Sequence, residues 1–191
     1  MKIIGILGNY GTGDNEPMPE VCLMADSSLL KDGKPFFVPD FAPRFVAYPT
    51  VVAHVCRLGK NIARKFAPRY YDQLTVGLAV EAEGVAGALG HAFDGAAILG
   101  DFVELCELSS TGDDGGLAYE VAIDGQPRFS GSTALLGRGI DELIEYVSRY
   151  MTLKIGDYIY LSRPAQGMPL AIDTHITATL AGREVLKMKV K

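Results

Sequence analysis

The 191-residue chain has no tryptophan, only three histidines and only three cysteines. Cys22, Cys56 and Cys106 are far apart, odd in number and form no CxxC pair. A disulfide framework and a zinc ribbon are thereby excluded, and reduced thiols in the cytosol are expected. The histidines, His54, His91 and His175, share no metal-ligand spacing, which leaves a histidine metal site weak. Basic charge is also short. Lys and Arg number 18 against 23 Asp and Glu, a net charge of −5, so a general nucleic-acid or anionic-membrane partner is not expected. No apolar run approaches the roughly 18–20 residues of a membrane span. The opening MKIIGILGNY is too short in apolar residues for a signal segment and is expected to form a first strand. Motifs are missing too. There is no GxSxG nucleophile elbow. Gly8–Glu16 is glycine-rich but lacks the P-loop lysine. The acidic tip at Asp113-Asp114-Gly115-Gly116 lacks EF-hand spacing and is expected to be a solvated turn.

What is present is 48% hydrophobic residues with 21% charged, ordinary for a globular chain able to bury one core. Short extended segments are expected at Lys2–Leu7, Val21–Met24, Phe36–Val38, Val46–Arg57, Leu74–Glu83, Phe102–Leu108, Tyr119–Ile123 and Tyr158–Leu161. Asp124-Gly125 signals a hairpin turn. Ile176–Leu180 and Glu184–Val190 are expected to pair across Ala181-Gly182. A short helix is expected within Ile62–Tyr70. In GIDELIEYVSRYM, Ile140, Leu143, Ile144, Val147 and Met151 fall at helical spacing with charges opposite, which predicts a helix. The sum is a β-rich α+β chain with no βαβ alternation. It is expected to form a single domain, with N-terminal strands and loop over 1–40 packed on a 41–191 core. On Val46–Arg57, alternation puts Tyr48, Thr50, Val52, His54 and Cys56 on one face and Pro49, Val51, Ala53 and Val55 on the other.

The order of segments is similar to the fumarylacetoacetate hydrolase family, in particular its small one-domain acylpyruvate hydrolases and hydroxyhepta-diene-dioate isomerases. The resemblance runs nearly end to end. Gly8–Tyr10 (GNY), Leu29–Phe41 (LLKDGKPFFVPDF), Arg57–Ile62 (RLGKNI), Arg69–Leu78 (RYYDQLTVGL), Ala92–Phe102 (AFDGAAILGDF) and Asp141–Tyr160 (DELIEYVSRYMTLKIGDYIY) carry it. It implies a mixed β-sandwich or roll with short helices, a homodimer, and hydrolysis or isomerisation of acylpyruvate-type substrates. It also implies a Mg²⁺ or Mn²⁺ ion held by an E-x-E strand and a later Asp, hard cations that want oxygen ligands. Those positions fall on Tyr48, Thr50 and Ala79, so all three ligands are missing.

Other family positions are altered as well. The water-activating His position is Gly13, with Glu16 kept. The Lys-Pro that positions substrate falls on Ala25-Asp26, and the Lys before A-F-D falls on His91. Arg163 stands where a Thr belongs. The segment after Ala79 is shortened to EAEGVAGALG. The resemblance thus places a pocket at Tyr10, Gly13, Ala25, Tyr48, Thr50, Ala79, Glu81, Glu83 and Asp94, with Glu16, His91 and Arg163 as catalytic candidates. Two functions are expected to compete. One is a family member without metal or activity that binds a small carboxylate or a partner. The other is a hydrolase or isomerase with remodelled, metal-independent chemistry. In the first, Arg163 fills an emptied pocket and pairs with Glu81 or Glu83.

Overall fold

The computed structural model describes residues 1–11, 18–109 and 115–191. The chain opens with β1 (Ile3–Leu7), β2 (Glu20–Met24) and β3 (Leu29–Leu30). The long strands β4 (Phe45–Val55) and β5 (Tyr71–Ala82) follow, then β6 (Ala97–Leu99), β7 (Val103–Glu104), β8 (Ala118–Ile123) and β9 (Gln126–Ser132). Helix α1 (Ile140–Tyr150) precedes β10 (Tyr158–Tyr160), β11 (Met168–Pro169), β12 (His175–Leu180) and β13 (Arg183–Lys189). The first sheet runs β2-β1-β10-β4-β5-β6-β3, with β11 beside β4 and β7 beside β5. The second runs β13-β12-β8-β9. This is the β-rich α+β architecture of two sheets and few short helices that the resemblance implies. β1 and β2 belong to the large sheet through the parallel pairing of β1 with β10, and β3 joins it by pairing with β6.

Two faces of the β4–β5 ribbon divide the molecule. Phe45, Ala47, Val51, Ala53 and Val55 on β4 face inward, with their partners Leu74, Val76, Val80 and Ala82 on β5. There they meet Leu143, Ile144 and Val147 of α1 and Ile176, Ala178 and Leu180 of β12. Burying each of the larger of these side chains is worth about 1.5–3 kcal/mol, which sets the register, since a one-residue slip would turn the whole set outward. The outer face carries the pairs Tyr48–Ala79, Thr50–Gly77, Val52–Thr75 and His54–Gln73.

Pro49 sits mid-strand, where a missing N–H should cost a ladder bond. It costs none here. β10 covers Val52–His54 and β11 covers Val46–Ala47, and Pro49 faces the gap between them. Chain segment 161–162 fills that gap: the Leu161 N–H donates to the Val51 carbonyl at 3.0 Å, and the Ser162 N–H to Thr50 Oγ1 at 3.0 Å.

Two expected strands are shorter than the pattern suggests. Phe36–Val38 pairs only as a bridge from Phe36 to Val190. Phe102–Leu108 reduces to Val103–Glu104, followed by a 3₁₀ turn over Leu105–Glu107. Only Gln73 and Leu74 of β5 stand opposite it, so a ladder has nowhere to continue. The helix expected within Ile62–Tyr70 is a 3₁₀ turn, Arg64–Arg69, with Pro68 inside it. Among the buried groups, Asp157 is fully enclosed. It accepts from the Lys2 and Lys154 backbone N–H groups, each at 2.8 Å, and pairs with the Lys2 ammonium.

Candidate functional site

A narrow cavity of about 40 Å³ opens on the outer face of the large sheet. β1 contributes Gly5–Leu7, β2 contributes Cys22 and Met24, β4 contributes Tyr48, and β5 contributes Ala79–Glu81. Tyr160, Ser162, Arg163 and His91 complete it. Two glycines permit the close packing behind it. A side chain at Gly77 would meet Tyr160 Cε1 at 2.8 Å and Val52 Cγ2 at 2.6 Å. The Tyr160 ring thereby packs against Gly77, and its hydroxyl donates to the Ile98 carbonyl at 2.9 Å. A side chain at Gly167 would meet the Tyr48 ring at 2.8 Å.

Arg163 is the organising residue. Its guanidinium carbon lies 4.0 Å from the centre of the Tyr48 ring, a close cation–π stack. The same guanidinium is paired with the Glu81 carboxylate. Burial opposes its charge; Tyr48 and Glu81 outweigh that, and its pKa ends above the ordinary value. Cys22 faces the same cavity, and burial pushes its thiol up despite the Gly5 backbone contact and the nearby Arg163 charge. Burial also holds the Tyr160 phenol well above its ordinary pKa. His91 lines the cavity, and its imidazole makes no hydrogen bond to another described residue.

The expected pocket residues divide. Tyr48, Ala79, Glu81, His91 and Arg163 converge on the cavity. Thr50 lies behind it, fully buried, its hydroxyl 3.0 Å from Ser162 Oγ. Glu83 points away and forms a bidentate pair with Arg44 at 2.7 and 2.8 Å. Of the two acids offered to Arg163, Glu81 is the one that takes it. Ala25 and Asp94 are exposed and do not line the cavity. Ala25 precedes a surface 3₁₀ turn, and Asp94 lies in a tight turn before β6. Tyr10 packs on Phe129 at 6.2 Å, away from the cavity. Gly13, Glu16, Asp113 and Asp114 lie outside the described residues. His54 is half-buried between Phe102 and Tyr158 and bonds Asp72 at 2.9 Å, and His175 lies at the surface beside Asp124. Cys22 and Tyr160 carried no motif. Nothing in the sequence singled out Cys22; the β1–β2 register sets it opposite Gly5, and it lines the cavity.

With this geometry in view, comparison with known proteins is direct. Residues 8–167 match the family described as fumarylacetoacetate (FAA) hydrolase, C-terminal. The chain belongs to the fumarylacetoacetate hydrolase family. A stretch of 94 residues is 32% identical to oxaloacetate tautomerase YcgM of Escherichia coli (strain K12), spanning 49% of this chain but only 42% of the tautomerase. The fold superposes on fumarylpyruvate hydrolase from Pseudomonas aeruginosa, solved with Mn²⁺ and pyruvate, with a TM-score of 0.86 at 17% identity over 100% of this chain and 89% of that one. It superposes equally on 2-hydroxyhepta-2,4-diene-1,7-dioate isomerase from Mycobacterium marinum, TM-score 0.86 at 18% identity over 99% and 73%.

The donors here do not fit a divalent ion. The three positions that the resemblance assigns to ligands offer a phenol under a guanidinium, a hydroxyl committed to Ser162, and a methyl group. Among the described residues no three His, Cys, Asp or Glu side chains converge. A hard cation needs several anionic oxygens, and the one carboxylate lining the cavity among the described residues, Glu81, is already paired with Arg163.

Proposed function

We propose that this family member works without a divalent metal at the outer-face cavity and binds a small carboxylate through Arg163 instead of cleaving a carbon–carbon bond. The observation that carries the reading is the Arg163 guanidinium, paired with Glu81 and stacked on Tyr48, one of the three positions that the resemblance assigns to metal ligands. Both partners are about one-third exposed, 30% for Arg163 and 34% for Glu81. An ion pair in that setting is worth only about 0–1 kcal/mol, so an incoming carboxylate can exchange for Glu81 at small cost. The exchange would also widen the cavity, whose volume of about 40 Å³ has room for only a few waters at the roughly 10–15 Å³ each needs. Three free cysteines accord with a cytosolic setting. Titration calorimetry with pyruvate and malonate should show binding that Arg163→Met removes. Acetylpyruvate and fumarylpyruvate should stay intact with Mg²⁺ or Mn²⁺ added. Metal-stimulated cleavage at an ordinary turnover of ~1 s⁻¹ or more refutes the reading.

A second reading rests on His91. An unpartnered imidazole shares the cavity with a guanidinium, an arrangement suited to proton transfer on an oxo acid whose enolate Arg163 would stabilise. Metal-independent isomerisation or tautomerisation lost in His91→Gln would establish it.

A further inference from the structure

We propose that a groove formed by residues 57–70 is a binding site for small phosphate-bearing anions. It shares no residue with the outer-face cavity. Residues 57–69 hold five basic side chains, Arg57, Lys60, Arg64, Lys65 and Arg69, and no acidic one. The rest of the chain then carries 13 basic against 23 acidic residues, a net charge of −10. The groove has a volume of about 300 Å³, and Arg57, Lys60, Asn61, Phe66, Arg69 and Tyr70 are among its walls.

The cations are mostly unspent. Arg64 reaches Glu142 at 3.4 Å, and Lys60 donates to the Tyr150 carbonyl at 3.0 Å. Arg57, Lys65 and Arg69 have no carboxylate partner among the described residues. Aromatic rings hold them instead: Arg57 lies 6.0 Å from the Tyr70 ring centre, and Arg69 and Lys65 lie 5.2 and 5.0 Å from that of Phe66. The backbone beneath is fixed. The Asn61 N–H donates to the Ser148 carbonyl and the Ile62 N–H to Ser148 Oγ, each at 2.9 Å, which anchors the groove to α1. The backbone of the site is therefore in place before any ligand arrives, and only the exposed basic side chains must be ordered on binding.

The chemistry favours phosphate. Guanidinium forks match its oxygens two at a time, and a multivalent anion can satisfy several cations at once. The charge distribution favours a small ligand. A long nucleic acid would also run over the rest of the chain, with its net charge of −10, whereas a ligand confined to a groove of this size meets the basic walls first.

The test is calorimetric titration with inorganic pyrophosphate at about 50 and about 300 mM salt, with exposed side chains substituted so that the fold, checked by circular dichroism, is retained. Wild type should saturate, and its affinity should fall at least about fivefold at the higher salt as screening shortens. The pair Arg57→Glu with Arg69→Glu, and the milder Arg57→Gln with Arg69→Gln, should each weaken binding tenfold or more. Lys31→Glu with Lys34→Glu, an equal change in net charge elsewhere, should leave it within about twofold. Absence of saturation in wild type overturns the proposal. So does an equal loss in the control pair, which would mean bulk charge alone, or a single-stranded oligonucleotide that outcompetes pyrophosphate.

Discussion

Placing three carboxylates by Tyr48→Glu, Thr50→Glu and Ala79→Asp tests whether these positions form one cation site. Tyr48 and Ala79 are direct cross-strand partners and Thr50 is two residues along the same face. Directly opposed residues have Cβ atoms about 4.5–5.5 Å apart, so all three side chains can reach one ion. The apo cost is dominated by Thr50. It is fully buried and bonded to Ser162 through both Oγ and the backbone N–H. An unpaired charge there should cost about 3–5 kcal/mol. At 2–4 °C per kcal/mol for a chain of this size, the apo variant should melt roughly 6–20 °C below wild type. Mn²⁺ at a hundredfold over its dissociation constant should return about 2.7 kcal/mol, or roughly 5–11 °C. Arg163 complicates this usefully. Its guanidinium lies over residue 48 and will compensate one new carboxylate, so adding Arg163→Thr should lower the apo melting temperature further and enlarge the Mn²⁺ response. Differential scanning calorimetry with and without Mn²⁺ measures both, and wild type should not respond. A folded variant indifferent to Mn²⁺ in both backgrounds refutes the claim that these positions converge on a metal site.

Asp157→Ala should destabilise by about 1–3 kcal/mol in urea denaturation, because the partly buried N–H groups of Lys2 and Lys154 lose their acceptor and the Lys2 ammonium keeps only the Thr152 carbonyl among the described residues; a loss under about 0.5 kcal/mol would show the carboxylate to be incidental. Tyr119→Phe should change stability by less than about 1 kcal/mol, since the buried Tyr119 hydroxyl has the Tyr10 and Ser162 hydroxyls near it but makes no well-formed hydrogen bond to a described residue; a larger loss would show that one of them takes it. Iodoacetamide at pH 8 should label exposed Cys106 well before Cys22, whose thiol is half-buried and held protonated by burial, as peptide mass spectrometry would show. Light scattering at micromolar concentration should give a dimer mass, with Phe102→Glu shifting it towards monomer. The apolar residues Leu74, Val76, Leu78 and Val80 are used inside the chain, so the pairing surface we propose is the outer face, where Phe102 stacks on Tyr158 at 5.5 Å.

The family, the two-sheet class, α1 and the hairpins at Asp124-Gly125 and Ala181-Gly182 were all legible in the chain itself, because each depends on local periodicity, turn chemistry or segment order. The alternation on β4 correctly separated a core face from a face bearing Tyr48 and Thr50. Contacts that depend on distant segments were not legible. Nothing near Pro49 shows that two separate short strands will leave a gap at its side of β4. Nothing near Thr50 shows that Ser162, more than a hundred residues later, will take its hydroxyl. Local sequence could narrow the partner of Arg163 to Glu81 or Glu83, both on the same strand and separated by two positions. Tertiary structure decided between them, because Arg44 crosses from the start of β4 to take Glu83 and leaves Glu81 beside the cavity. Ala25 and Asp94, aligned with functional positions, turn outward because the short turns around them face solvent. Sequence order determines which strands exist and which face of each is apolar; which polar groups finally meet depends on where the chain folds back, and only the assembled sheet determines that.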